Sequence, residues 1–120
     1  MITYNNLISK ALEAVPEFND EYNRLIKRNI IDAESGNHIV FAYAFTPVLI
    51  EAIRTNNKPL QEVMFGFLEE MASSEDRLVV EVCDYSVLEE INDETDLYSI
   101  IDLMGPKTRE GVDAIKQYMT

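Results

Sequence analysis

Prolines at positions 16, 47, 59 and 106 stand at the edges of apolar runs, and that placement confines the chain to short helices. Proline lacks the N–H that a helix interior needs and its ring collides with the preceding turn, but its fixed φ suits a first turn. Ahead of Pro16, TYNNLISKALEAV puts Leu7, Ile8, Ala11, Leu12 and Val15 on one helical face, with Thr3 as the expected cap. After Pro16, Phe18, Tyr22, Leu25 and Ile26 form the face of a second helix. Its acids Glu17, Asp20 and Glu21 lead and its bases Arg24, Lys27 and Arg28 follow, in the order that complements a helix dipole.

Ser35, Gly36 and Asn37 form a turn cluster, and the apolar IVFAYAF that follows runs straight into TPVLIEAIRTNN. A strand at IVFAYAF would need a partner that no other segment offers. Two helices are therefore expected, roughly 38–45 and 47–55, either kinked or separately packed at Pro47, with Thr46 as cap. Lys58-Pro59 opens a fifth helix with Leu60, Met64, Phe67, Leu68 and Met71 inward. Asp76 caps the next, DRLVVEVCDYSVLEEI, whose apolar positions span too wide an arc for a surface helix and predict a central one. DLYSIIDLM stops at Gly105-Pro106, and a last helix from about Thr108 to Tyr118 uses Val112, Ile115 and Met119. The expectation is one all-α domain over residues 1–120, with about eight short antiparallel helices in an α-α superhelical stack of HEAT or armadillo type.

Charge is polarised along the chain. Residues 1–58 carry seven acids and six bases, net −1, whereas residues 59–120 carry fifteen acids and four bases, net −11. Such a field repels nucleic acid and anionic membranes and attracts a cationic partner. No basic start with a long apolar run suggests a secretory signal and no stretch suits a membrane span, so a cytoplasmic protein is expected. Cys83, the single cysteine, sits among Val79, Val80, Val82 and Val87 and is expected to be a buried structural thiol.

The chemistry-bearing residues are sparse. His38 is the one histidine and has no second His or Cys beside it, so no metal site is expected. DETD at 93–96 lacks the alternating acids and the glycine of a calcium loop. Ser86 and Ser99 lie inside helices, with only His38 to serve either as a base. There is no phosphate-cradling glycine motif, and RLIKR at 24–28 is a helix-end cluster too short for a nucleic-acid footprint. No cofactor and no catalysis are expected.

What stands out is EVCDYSVLEEINDETD, residues 81–96, with seven carboxylates and no lysine or arginine. At 100° per residue Glu81, Asp84, Tyr85, Glu89 and Asn92 share the narrow polar face, while Glu90 lies opposite. Glu81, Asp84 and Glu89, with Tyr85 as an aromatic anchor and Asp93, Glu94 and Asp96 at the adjoining turn, are the expected binding site for a basic protein.

FGFLEEMASSEDRLVVEVCDYSVLEEIND, residues 65–93, resembles a HEAT-type helix-turn-helix unit, an apolar helix followed by an acidic turn and a valine-rich inner helix. With TPVLIEAI, FLEEM, SVLEEI and LMGPKT in that order, the chain is similar to small acidic bacterial proteins of unassigned function. In overall type it resembles immunity proteins of polymorphic toxins. That resemblance implies a cytosolic helical protein that binds a toxin domain, often a basic nuclease, and blocks it without chemistry. The alternative is a small helical-repeat adaptor for another cytosolic protein.

Overall fold

A computed structural model describes residues 1–119, and among them every regular element is a helix. The elements are α1 (Leu7–Ala14), α2 (Pro16–Lys27), α3 (residues 37–54), α4 (Lys58–Ala72), α5 (residues 77–92), a 3-10 helix (Leu97–Leu103) and α6 (Pro106–Met119). That makes seven helices among the described residues rather than eight.

The difference lies at Pro47. Asn37–Val40, a π segment Phe41–Phe45 and Thr46–Arg54 run on as a single helix. The Thr46 N–H reaches back five residues to the Phe41 carbonyl, which opens the turn where Pro47 has no N–H and its ring needs room. The proline is absorbed and no break is needed. In α5 the same device separates Arg77–Glu81 from Glu89–Asn92: residues Val82–Leu88 are π, closed by the Glu89 N–H on the Asp84 carbonyl.

These two π segments pack against each other. A π turn displaces carbonyls from the regular ladder, and Thr46 Oγ1 donates to one of them, the buried Ser86 carbonyl, at 2.7 Å. Thr46 is thus a mid-helix tie between α3 and α5 and not the expected cap. Thr3 also differs from expectation: α1 begins at Leu7, and the Thr3 N–H donates to Asn6 Oδ1.

Both α2 and α3 end on asparagines at positive φ, Asn29 at 58° and Asn56 at 57°. The Ile30 and Asn57 N–H groups then donate to the Leu25 and Ala52 carbonyls, six-residue closures that satisfy groups a helix end leaves open. Asp76 caps α5 as expected, accepting from the Leu78 N–H at 3.1 Å, and its other oxygen accepts from the Tyr4 N–H at 2.8 Å. The amino-terminal segment is thereby fastened to the start of α5.

Buried apolar side chains from all seven helices join in one core. Phe18 of α2, Phe41 and Phe45 of α3 and Phe67 of α4 chain together with ring centroids 4.8 to 6.0 Å apart. Each such ring contributes roughly 2–3 kcal/mol by burial. α4 is the hub: it touches α1, α3, α5, the 3-10 helix and α6 within a body of 37 × 32 × 25 Å. Cys83 is fully buried in this core, and burial pushes its thiol far up, with Asp84 and Glu69 adding to the effect. Val112 and Ile115 are buried as expected, while the side chain of Met119 lies outside the described residues. No helix among the described residues is long and apolar enough to cross a membrane.

α6 begins at Pro106, two residues before the expected start. Its free N–H groups are met from α4: Glu69 accepts from Lys107 N at 3.0 Å and from Thr108 N and Oγ1 at 2.9 Å each. Burial works against the charged form of Glu69, but these donors together outweigh it and hold the carboxyl below its ordinary value. A Cβ at Gly105 would stand 2.5 Å from Glu69 Cδ, so a side chain there would have to displace this carboxylate.

Candidate functional site

The residues expected to form one anionic site are divided by α5. Asp84, Tyr85 and Glu89 line a cleft of about 330 Å³ that α5 makes with α6, floored by Ala114 and Ile115. Glu81 sits half-buried one turn earlier. Asp93 and Glu94 join Glu90 in a different cleft of about 510 Å³, formed against Ala42, Pro47 and Arg54 of α3. Asp96 belongs to neither, for it caps the 3-10 helix through the Tyr98 N–H at 3.1 Å and binds Lys116 Nζ at 2.9 Å. Ordinary helical rotation divides them, for at about 100° per residue Glu90 and Asp93 already fall on the far side of α5 from Asp84.

The electrostatics of the two clefts differ. Burial raises the Asp84 carboxyl above its ordinary value; Arg77 opposes this, and Glu89 and Glu81 reinforce it. Among the described residues, Glu81, Asp84, Glu89, Glu90 and Asp93 take part in no ion pair. Glu94 lies 3.7 Å from Arg54, which also meets Glu51 at 3.3 Å. Asp96 is held below its ordinary value by Lys116, then by the Tyr98 N–H. Two of the seven carboxylates are therefore answered by the chain's own cations.

Sequence reasoning left out Arg77 and Tyr118, which share the cleft with Tyr85, and Gly111, which lets α6 approach Asp84. A Cβ at Gly111 would stand 2.7 Å from Asp84 Oδ1. The one local signal was the glycine inside an otherwise regular helix, where glycine costs about 1 kcal/mol and so implies a close neighbour.

His38 and Ser86 meet across α3 and α5 with Nδ1 and Oγ 2.7 Å apart. Ser86 is 5% exposed and sits within the π segment. With Thr46 on its carbonyl and His38 on its hydroxyl, Ser86 is a polar rivet between two helices. No three His, Cys, Asp or Glu side chains converge as metal ligands among the described residues.

Residues 8–120 match the family described as "Domain of unknown function (DUF7674)". No curated protein and no solved structure matches the chain.

Proposed function

Because the chain belongs to the DUF7674 family, whose description assigns no activity, we infer its function from surface chemistry and propose a non-enzymatic module that binds a basic protein. The favoured form is an immunity protein that occludes the cationic site of a toxin domain in the cytoplasm. One observation carries this: five carboxylates on α5 and the turn after it, Glu81, Asp84, Glu89, Glu90 and Asp93, have no cation of the chain's own within ion-pair distance among the described residues. Unpaired like charges on one helix cost stability, by a few tenths of a kcal/mol per close pair, so a surface that keeps them is suited to a partner that supplies the opposite sign. The finer architecture, a HEAT-like superhelical stack, belongs to this proposal; its support is the pair α4–α5 with the Asp76-capped turn between them.

The exposed Leu78, Tyr85 and Tyr118 favour a second form, an adaptor that holds a cytosolic protein by apolar contact. Ionic strength separates the two, since an electrostatic inhibitor associates more slowly as salt rises and an apolar adaptor does not. The test is growth rescue by co-expression with a polymorphic toxin encoded beside the gene. Rescue is expected for the native chain and is expected to be lost in a Glu81→Lys, Glu89→Lys, Asp93→Lys variant whose circular dichroism is unchanged. No toxin gene beside it, together with salt-insensitive association with a neighbouring gene's product, would overturn the immunity form in favour of the adaptor.

A further inference from the structure

The geometry points to the cleft between α5 and α6 as the seat of a single arginine side chain of the partner. This rests on the anionic-surface proposal above and assigns its point of entry. The cleft combines three things, and the first, its aromatic walls, has no counterpart in the lining of the cleft on the opposite side of α5. Its walls are the rings of Tyr85, 53% exposed, and Tyr118, 94% exposed, and neither hydroxyl has a hydrogen-bond partner among the described residues. Its floor is apolar, with Ile115 only 5% exposed. Among the described residues, Asp84 and Glu89 face in without ion pairs and Arg77 is the one cation in the lining, so one negative charge is left uncompensated.

A guanidinium suits all three. It is planar and weakly hydrated, stacks on aromatic faces, and offers a fork of donors to a carboxylate. The alkyl stem can lie on Ala114 and Ile115 while the head reaches Asp84 and Glu89. An ammonium makes the charge contact but not the planar stacking, so arginine is preferred over lysine. A volume of about 330 Å³ is near the lower end of small-ligand sites, a size for one side chain and not for a helix. Burial disfavours the charged form of Asp84, and a cation entering beside it would favour that form.

The test uses the whole chain labelled with ¹⁵N and titrated with N-acetyl-arginine methylamide, its lysine counterpart and the neutral citrulline counterpart. Expected are saturable amide shifts at Asp84, Tyr85, Ala114 and Ile115, larger for arginine than lysine and absent for citrulline. Asp84→Asn and Tyr85→Leu should each weaken the arginine response about tenfold, while Glu90→Gln on the opposite side leaves it unchanged. Equal shifts along both sides of α5, an equal response to citrulline, or no shift in the native chain would overturn the assignment. A failed titration alongside successful growth rescue would remove the arginine cleft and leave the anionic-surface proposal standing. Failed rescue alongside a successful titration would do the reverse.

Discussion

The two sides of α5 carry acids in similar number but in different chemical states. Toward α6, Asp84 is half-buried beside exposed tyrosines, and among the described residues no cation pairs with it or with Glu89. Toward α3, Glu90 and Asp93 are exposed, and Arg54 already stands beside Glu94. Exposed carboxylates near an exposed arginine are well solvated and lose little by staying so. Carboxylates beside aromatic rings and an apolar floor are poorly solvated and gain more from an incoming cation. Counting charge along a sequence treats these sides alike, whereas solvent access sets them apart.

The largest expected effect removes one side altogether. Glu69→Ala leaves the Lys107 and Thr108 N–H groups at the head of α6 without their acceptor and should cost about 2–3 kcal/mol in urea denaturation. It should loosen the α6 wall in hydrogen exchange while amides along α3 stay protected. The folded pKa of Glu69 is lowered, so its stabilisation is full above the unfolded value and is lost as pH falls through the folded one. The variant should therefore show a shallower acid decline than the native chain. An unchanged acid limb would mean that Glu69 does not hold the helix.

Asp84→Asn sharpens the contrast with the opposite sign. A raised folded pKa means that the charged carboxylate opposes folding above that value and that the cost fades as pH falls through it. The amide should raise the melting temperature at neutral pH by roughly 2 °C, with the gain vanishing in acid. Asp93→Asn on the exposed side should leave the melting temperature at neutral pH unchanged.

Gly111→Ala probes how closely α6 approaches. In an Asp84→Ala background the new methyl should stabilise by about 0.5–1 kcal/mol through helix propensity. With Asp84 present it meets Oδ1 at 2.7 Å and Leu88 Cδ1 at 3.4 Å, and most of that gain should disappear in a double-mutant cycle. Additivity would show that the carboxyl does not occupy that position. The smallest effect belongs to the α3 side, where Arg54→Ala, despite losing contacts to Glu51 and Glu94, should change stability by less than about 0.5 kcal/mol.

Most of the helical body is legible in the sequence because amphipathic spacing and prolines at first turns act within one or two turns of their own residues. Pro16 and Pro59 start helices where expected, and Asp76 caps where expected. Pro47 misleads, because whether a proline breaks a helix or is taken up by a wider turn depends on the helix lying across it, here α5. The acid-rich stretch was visible, and so was the place of Glu90 opposite Asp84; that Asp93 and Glu94 join Glu90 was not foreseen, because their cleft is closed by α3, a helix far away in sequence. The Glu69 cap on α6 spans 38 and 39 residues, and the His38–Ser86 contact spans 48. Pairings at such separations are set by tertiary packing and leave no local mark.

The π segment of α5 also makes the chain unusually tolerant of length at one place. Deleting a single residue within Val82–Leu88 would let an ordinary α-helix re-form, and because the wider turn had absorbed that extra residue, everything beyond it would keep nearly its present bearing around the helix axis. Glu90 and Asp93 would keep their neighbours. In an ordinary stretch of α-helix the same deletion would swing all that follows by about 100°.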